Sequence, residues 1–553
     1  MFRKRFLTFA ATVTGVSLLA IALFAGGASS QPASADTHAK KGGTFNINLA
    51  NTDVDFSDPA LAYFTYSETL MRAACSTLLS NMDKRAPEGT KVYPDGAAGA
   101  PKVSSDGKTY TFTVRPGLKF ASGKPVTAAN YAFSINRNLN AAINSPAVAY
   151  MHEIVGADAV LSGKAKSASG VVAKGNILTI HLTQAIPDFE YRLALTFFCP
   201  LPTDTPTTAA GVNTFDGSGP YTIASRTPNR QLVLVTNKFY KGPRPHNFDR
   251  IVITANVDLN QSLLQVKSGQ ADLDIGGLPP TAHADLGKTY GVNKSQYRVD
   301  PSLETDFIPL RTDRGVFTDV NLRKAVNWAL DRPQMLRARG AYAGKRDDQL
   351  LGSLVPGYRD VKIYSFRGAN VDLGKKAIAK SATCKSGCSV TLYTANAGAF
   401  ATQAQVVQYN MKQIGINVNI QQFTRSVEHS KCGTKAEQFD MCIEGWGADY
   451  PDPITFLSPL LNGRNIVETN NNDMSYFNNP QINAQIQAAS ALTGEKRYST
   501  FNSIDTNVQR QFAATAPFLH RTQRFLISSR IDPKCYVYDP IISMVDVTAG
   551  CLK

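Results

Sequence analysis

Enzyme signatures are missing from this chain of 553 residues. It contains no HExxH metal-binding helix, no GxSxG nucleophile elbow and no Walker phosphate-binding loop, and its 7 histidines are scattered. His152 and Glu153 lack a second histidine one helical turn further on, so they predict a surface pair rather than a metal site. Gly276-Gly277 lacks the strand and helix that flank a dinucleotide-binding loop, and it indicates a turn. We therefore expect a protein that is not an enzyme and has no catalytic residues, cofactor or metal.

Long apolar runs are absent beyond Ala25. The chain starts with Arg3-Lys4-Arg5, continues with an apolar stretch from Phe6 to Ala25, and reaches the small residues Ala33-Ser34-Ala35, a pattern typical of an export signal over residues 1–35. Its strongly apolar centre is shorter than the about 20 residues that cross a bilayer. We expect an exported protein, extracellular, envelope-associated or periplasmic, that is soluble after signal cleavage. An uncleaved signal that anchors the chain is the alternative.

A cysteine close to the apolar start is also absent, since the first is Cys75, and a lipid anchor of the usual kind is therefore not expected. The 8 cysteines all follow the signal, which fits an oxidising compartment and permits four disulfides. The alternative is a four-cysteine zinc site, whose paired short spacings the sequence lacks. Proximity along the chain suggests the pairings Cys384 with Cys388, Cys432 with Cys442, Cys535 with Cys551, and, by remainder, Cys75 with Cys199.

The net charge is +15 at pH 7, but the basic residues are dispersed and no nucleic-acid-binding motif is present. We therefore expect no nucleic-acid partner. For an exported protein, such a charge indicates a basic surface that meets anionic envelope polymers or acidic solutes.

Hydrophobic periodicity predicts a mixture of strands and helices. Residues 43–49 alternate apolar and polar side chains, as a half-buried strand does, and residues 103–114 form a hairpin with Asp106-Gly107 as a primed turn. Residues 319–332 have helical spacing, which favours Trp328 as a core residue rather than a ligand shelf. Residues 404–414 predict a helix, followed by a strand over residues 415–420.

The run from Phe439 to Leu457 is the most informative, because it sets Asp449 among Trp446, Tyr450 and glycines. A tryptophan that lines a cleft excludes water and strengthens the attraction between a carboxylate and an ammonium group. The structural alternative is a turn in which Asp452 caps a helix that begins with Pro453 and Ile454. The candidate ligand-binding residues are Asp449, Trp446, Gly447, Gly445 and Tyr450.

This run resembles the GWxADYxDP segment of the family 5 solute-binding proteins of ABC importers, which include oligopeptide- and dipeptide-binding receptors. Further segments resemble that family in the same order. Residues 43–49 are similar to its GGTLxIAL opening, Asp58-Pro59 to its LDPA passage, and residues 115–137 to its RxGxKFxDGxPxTAxDVxFSxxR block. Residues 115–137 depart from the block at Ser122, Asn130 and Tyr131.

The resemblance implies an α/β fold that is periplasmic-binding-protein-like and two-lobed, of type II in the large cluster with an extra domain, with the ligand cleft between the lobes. The chain would cross between the lobes near residues 298 and 509. The implied domains are a first lobe of residues 36–78, 202–297 and 510–553, an extra domain of residues 79–201 packed on it, and a second lobe of residues 298–509.

The resemblance also implies an extracytoplasmic receptor, a monomer, that captures a peptide or another small amine-bearing solute and delivers it to an ABC permease in the membrane. Asp449 would pair with the ligand α-ammonium, and the strand-like residues 443–447 would pair with its main chain. Arg311 and Arg425 are both available for the ligand carboxylate, and no motif selects one. Alternatives are the same fold with an opine, oligosaccharide, haem or metal chelate as its ligand, or a secreted enzyme or envelope protein.

Overall fold

A computed structural model describes residues 40–86, 88–364 and 367–553. The predicted export signal lies outside these residues. Within them, no helix combines the length and the apolar character that a membrane span requires.

Twenty strands and fourteen helices occur in the described part of the chain, and short 3-10 turns connect several of them. The strands are β1 (Thr44–Ala50), β2 (Leu79–Asn81), β3 (Val92–Pro94), β4 (Lys102–Val103), β5 (Thr109–Thr113), β6 (Val171–Lys174), β7 (Ile177–His181), β8 (Tyr221–Thr227), β9 (Gln231–Thr236), β10 (Arg250–Val257), β11 (Leu273–Asp274), β12 (Tyr297–Pro309), β13 (Gly344–Lys345), β14 (Cys388–Ala395), β15 (Ile416–Phe423), β16 (Met441–Cys442), β17 (Glu444–Gly447), β18 (Thr515–Leu526), β19 (Tyr538–Asp539) and β20 (Met544–Val545). The helices are α1 (Thr65–Ala74), α2 (Ala128–Leu139), α3 (Ala157–Leu161), α4 (Phe189–Arg192), α5 (Leu259–Ser268), α6 (His283–Tyr290), α7 (Val320–Ala329), α8 (Arg332–Ala338), α9 (Val371–Ile378), α10 (Phe400–Lys412), α11 (Arg425–Cys432), α12 (Ile454–Leu461), α13 (Pro480–Ser490) and α14 (Gly494–Asn507).

Four larger sheets organise the chain. Sheet A has the order β11-β1-β10-β9-β8, sheet B the order β4-β5-β7-β6, sheet C the order β13-β18-β12-β17, and sheet D the order β15-β14-β16. We call the part around sheet A the first lobe, the part around sheet B the extra domain, and the part around sheets C and D the second lobe. The residue bounds predicted for these parts stay predictions.

Periodicity in the sequence identified several elements correctly. The strand predicted over residues 43–49 is β1, whose Phe45, Ile47 and Leu49 are buried. The helix predicted within residues 319–332 is α7, with half-buried Trp328 packed edge-to-face on Tyr364 at a ring-centroid distance of 5.0 Å. The helix predicted over residues 404–414 is α10, which begins at Phe400 and ends at Lys412, and β15 follows it as expected.

The hairpin of β4 and β5 is confirmed, but the primed turn is wrong. A type I′ turn needs positive φ at both central residues. Here the Gly107 N–H donates to the Ser104 carbonyl, so the central residues are Ser105 and Asp106, and neither has a positive φ. Gly107 alone adopts the left-handed conformation, with φ 69°. The Asp106 carboxylate instead accepts hydrogen bonds from the Ser104 hydroxyl and the Lys108 N–H.

All four predicted disulfide pairings are confirmed, and the zinc alternative is wrong because every cysteine is in a disulfide. The bridges join Cys75 to Cys199, Cys384 to Cys388, Cys432 to Cys442, and Cys535 to Cys551.

Two long antiparallel strands, β12 and β18, connect the lobes. Tyr297 pairs with Leu526 at one end of the ladder, where Leu273 of sheet A bridges to Ile527. Pro309 pairs with Thr515 at the other end, where Leu310 bridges to Met441 of sheet D. Both strands therefore run from one lobe to the other.

Apolar side chains of the extra domain and the second lobe pack into one cluster, which we call the shared core. Sheet B and α2 contribute Phe112, Leu178 and Ile135, while α12 and α14 contribute Phe456 and Phe501. The first lobe and the second lobe have further cores of their own, around sheet A and between sheet D and its helices. The extra domain is thus packed against the second lobe as well as bonded to the first.

Candidate ligand site around Asp449

The site is built on β17, which is an edge strand of sheet C. β17 pairs with residues 304–307 of β12 without a register shift. The Ala448 N–H donates to the Leu303 carbonyl, so alternation along the strand turns the main-chain groups of Gly445 and Gly447 toward the unpaired edge. Within the described chain, no strand pairs with the hydrogen-bonding groups on this edge.

Both candidate glycines lie against charged side chains. A Cβ atom at Gly445 would overlap the Arg521 guanidinium, which is paired with Asp306 at 2.5 Å. A Cβ atom at Gly447 would lie 3.3 Å from Cγ of Glu304. The close approach of Arg521 explains the glycine at residue 445.

Asp449 follows β17 and is buried, with 8 % of its surface exposed. The Tyr150 hydroxyl donates a hydrogen bond to its Oδ2 atom, and the Tyr150 and Tyr63 hydroxyl oxygens are 2.9 Å apart. Burial raises the pKa of Asp449 to about 7, although hydrogen bonding from Tyr150 and Tyr63 counteracts part of this effect. No Lys, Arg or His of the described chain forms an ion pair with this carboxylate. Asp449 is therefore a buried acid without a counter-charge.

Trp446 and Tyr450 flank Asp449 in different ways. Trp446 is half-buried, donates from Nε1 to the Thr455 carbonyl at 2.8 Å, and packs edge-to-face on Tyr63 at a centroid distance of 5.6 Å. Tyr450 is buried, and its hydroxyl donates to Oδ2 of Asp188 at 2.5 Å. Trp446 packs beside Tyr63, whereas Tyr450 ties the second lobe to the extra domain.

The residues after Tyr450 follow the predicted turn. α12 begins at Ile454, and the Ile454 N–H donates to Oδ1 of Asp452 at 2.9 Å. Asp452 also pairs with Arg497, which in turn lies 3.2 Å from Oδ1 of Asp188. The capping aspartate thus belongs to a second link between the second lobe and the extra domain.

Neither arginine considered for a ligand carboxylate is free. Arg311 is buried, donates to Asp313 at 2.7 Å, and lies over the Tyr476 ring at 3.8 Å. Arg425 pairs with Glu428 and with Glu444, the latter at 2.5 Å. The partner of a ligand carboxylate stays open.

Sequence reasoning missed Tyr150, Tyr63 and Glu68, which share the site with Asp449. Tyr63 lies in the aromatic segment after Asp58-Pro59, which is a usable signal. Tyr150 has none, because the contact spans 299 residues and depends on the folded arrangement. In the described chain, Glu428, Cys432 and Cys442 come closest to a metal-ligand set, but both cysteines are in a disulfide and offer no thiolate.

Comparison with known proteins places this chain in a family. The family model described as "Bacterial extracellular solute-binding proteins, family 5 Middle" matches residues 91–468. The probable D,D-dipeptide-binding periplasmic protein of Escherichia coli K12 is 24% identical over 452 residues, which cover 80% of this chain and 82% of that protein. The heme-binding protein A of Haemophilus influenzae is 26% identical over 538 residues, 93% of each chain.

Comparison with solved structures agrees with this family match. The solved structure of the clavulanic acid biosynthesis oligopeptide binding protein 2 matches with a TM-score of 0.80 at 23% identity, over 93% of this chain and 96% of that one. This likeness confirms the predicted fold class, an α/β, two-lobed, periplasmic-binding-protein-like fold of type II. The family match extends over well more than half of the chain, and the chain therefore belongs to the family 5 bacterial extracellular solute-binding proteins.

Proposed function

We propose that this protein is the extracytoplasmic receptor of an ABC-type importer and captures peptides by their α-ammonium group at Asp449. The observation that carries the proposal is the buried Asp449 carboxylate without a cationic partner in the described chain. A buried carboxylate is costly unless a cation or hydrogen-bond donors compensate it, and a ligand ammonium supplies both. The names of the relatives, which include a D,D-dipeptide-binding and an oligopeptide-binding protein, support peptides as the ligand class.

The edge of β17 supports the same ligand class. An extended peptide enclosed between two lobes must have its N–H and C=O groups paired, and the outward main-chain groups of Gly445 and Gly447 are suitable partners. Trp446 closes one side of the site against water. These residues bind and orient a ligand, and the proposed role requires no reaction from them. Closure around the ligand would then present the surface that a membrane permease recognises.

The test is mass spectrometry of small molecules released by denaturation from wild type, from Asp449→Asn and from Asp158→Asn, all purified from the same host. Asp158 is exposed on the extra domain and provides the same change of charge away from the site. We expect peptides from wild type and Asp158→Asn, and few or none from Asp449→Asn. A charge-assisted hydrogen bond contributes about 1.5 to 3 kcal/mol, which corresponds to an affinity loss of about 10- to 150-fold.

Two results would overturn the proposal. Release of haem, a sugar or a metal chelate from wild type would assign a different solute to this fold. Retention of peptides by Asp449→Asn at the level of wild type would remove Asp449 from the site.

A further inference from the structure

Two surface segments of this chain carry basic residues without acidic ones. Residues 115–127 lie between β5 and α2, and residues 237–246 lie between β9 and β10. Together they contain four lysines and two arginines but no Asp or Glu. The basic residues are dispersed along the sequence, but folding brings these two segments side by side.

One aromatic ring joins the two segments. Phe239 is half-buried and packs against Gly123, where a Cβ atom would lie 3.1 Å from Cζ of the ring. Nζ of Lys119 lies 5.5 Å from the centroid of this ring, and Nζ of Lys238 lies 5.2 Å from the same centroid. The negative face of an aromatic ring attracts an ammonium group at such a distance. The ring thus holds two like charges, one from each segment, near each other.

Both segments are hydrogen-bonded to the loop of residues 216–220. The Ser122 N–H donates to Oδ1 of Asp216 at 2.9 Å. The buried Asn237 side chain donates from Nδ2 to the Gly219 carbonyl at 3.0 Å. Asp216 is the acid in these contacts, and a main-chain N–H already occupies one of its oxygens. The backbone that carries the lysines is therefore held in place by the fold.

The lysines of the two segments have no acidic partner. We call them the lysine cluster, and all four are exposed: Lys119, Lys124, Lys238 and Lys241. None of the four forms an ion pair within the described chain, where the paired lysines are Lys362, Lys431 and Lys435. Both arginines are engaged by Asp95, Arg115 through its carbonyl at 2.7 Å and Arg244 through its carboxylate at 3.4 Å. The lysine cluster is a patch of uncompensated positive charge.

The chemistry of the patch favours a polymer over a small anion. Water and salt screen each exposed ammonium group, so a single small anion is held weakly. A linear polymer with a charge on every repeat contacts several lysines at once, and its affinity increases with each contact. Lysine is suited to phosphate, which it binds as a point charge.

An anionic membrane fits the patch less well. Binding to a lipid surface also requires apolar side chains that enter the boundary between headgroups and acyl chains. In the lysine cluster the apolar group is the Phe239 ring, which is half-buried and has two ammonium groups beside it. This arrangement offers charge without an apolar surface to insert.

We propose that the lysine cluster is a docking surface for a linear phosphodiester polymer of the cell envelope, whose phosphate groups bind its four ammonium groups. Phe239 is a positioning residue that orients Lys119 and Lys238. The inference goes beyond the proposed function, because the cluster shares no residue with the site around Asp449. Such binding would keep an exported protein at the cell envelope.

The test is calorimetric titration with linear poly(glycerol phosphate) over a series of NaCl concentrations, with monomeric glycerol phosphate as the small-anion probe. The proteins are wild type, Lys119→Gln/Lys238→Gln, Phe239→Leu and Lys164→Gln/Lys166→Gln. Lys164 and Lys166 are exposed, lie outside the cluster and form no ion pair in the described chain. This matched control removes the same charge from another part of the surface.

We expect wild type and Lys164→Gln/Lys166→Gln to bind the polymer with equal affinity at low salt, and both to bind the monomer far more weakly. Lys119→Gln/Lys238→Gln should bind the polymer about tenfold more weakly. Its slope of log K against log salt should be shallower by about 1.4, since each phosphate contact on a single strand contributes about 0.7. Phe239→Leu keeps every charge, so it should retain the wild-type slope and lose about threefold in affinity.

Four results would contradict the proposal. Wild type that does not bind the polymer at low salt removes its basis. Equal weakening in the two double lysine variants would mean that net charge, rather than the cluster, determines binding. Tighter binding to vesicles of phosphatidylglycerol and phosphatidylcholine than to the polymer would assign the surface to a membrane. Wild-type affinity in Phe239→Leu would remove the positioning role of the ring.

These outcomes are independent of the peptide site. Peptides released from Lys119→Gln/Lys238→Gln at the level of wild type, together with lost polymer binding, would separate the two functions. If wild type binds the polymer but releases no peptide, the proposed function fails and this inference stands.

Discussion

Asp58 and Arg137 form a bidentate ion pair in which neither side chain is exposed to solvent. Nη1 of Arg137 donates to Oδ1 at 2.8 Å, and Nη2 donates to Oδ2 at 2.6 Å. The partners are 79 residues apart and come from two of the segments that resemble the family. The pair fastens α2 of the extra domain to the first lobe.

Removing one partner of this pair should destabilise the protein strongly. We expect Asp58→Asn to lower the free energy of unfolding by about 3 to 5 kcal/mol, because Arg137 would stay buried without its counter-charge. Denaturant unfolding followed by circular dichroism measures the change. Arg359→Ala breaks an exposed pair with Glu495 and should change stability by less than about 0.5 kcal/mol. Equal losses of stability in Asp58→Asn and Arg359→Ala would contradict the stabilising role of the buried Asp58–Arg137 pair.

Peptide binding should be strongest between about pH 7 and pH 8. Burial raises the pKa of Asp449 to about 7, and only the ionised carboxylate attracts an ammonium group. As the pH falls below 7, Asp449 becomes protonated, and affinity should decrease by up to about tenfold per pH unit. Above about pH 8 the peptide α-amino group loses its own proton, and affinity should decrease again.

Calorimetric titration from pH 5.5 to 9 measures both limbs of this profile. The groups around Asp449 are the hydroxyls of Tyr150 and Tyr63 and the carboxyl of Glu68. Residual binding by Asp449→Asn should lack the acid limb. An acid limb that persists in this variant would assign the titration to another group.

Gly445→Ala should weaken both folding and binding. The added Cβ would overlap the Arg521 guanidinium and displace it from Asp306, at a cost of about 1 to 3 kcal/mol. Thermal unfolding and peptide titration would both register the change. Gly99→Ala is the control, because a Cβ at that exposed residue has no heavy atom within 4 Å. Wild-type stability in Gly445→Ala would mean that the sheet shifts to accept the methyl group.

The disulfides should differ in their contributions to stability. Cys75 and Cys199 are 124 residues apart, whereas Cys384 and Cys388 are 4 apart. In the chain-entropy description, the long loop contributes about 5 kcal/mol and the short loop about 2 kcal/mol. Paired alanine variants of each bridge, compared by denaturant unfolding, test the difference. A larger loss of stability on removing the Cys384–Cys388 bridge than on removing the Cys75–Cys199 bridge would contradict this expectation.

Local patterns were sufficient for the elements that depend on neighbouring residues. The alternation of Phe45, Ile47 and Leu49 predicted β1, and Asp452 with Pro453 predicted the start of α12. The fold class followed from motifs that occur in the family's order. The hairpin turn was predicted incorrectly, because the bonds made by the Asp106 carboxylate determine that turn and the dipeptide alone does not reveal them.

The site was only partly predictable because its parts come from distant segments. Asp449 and Trp446 lie within one motif, and the sequence located both. Tyr150 reaches Asp449 from the extra domain and Glu68 lies near it on α1, and no periodicity connects either residue with Asp449. Arg425 looked available in the sequence, but Glu428 pairs with it from three residues further along α11, and Glu444 becomes its second partner when α11 packs beside β17.

The shared core has a consequence for the speed of uptake. Phe456 and Phe501 are buried with side chains of the extra domain, while Tyr450 and Arg497 are bonded to Asp188. These contacts are made by the chain alone, without a solute, and they hold the second lobe against the extra domain. In the proposed receptor, an opening that breaks these contacts costs free energy, and this cost is subtracted from the apparent affinity for the solute. In the proposed receptor, these contacts would limit how fast a solute enters, while the proposed bonds at Asp449 would determine how long it stays.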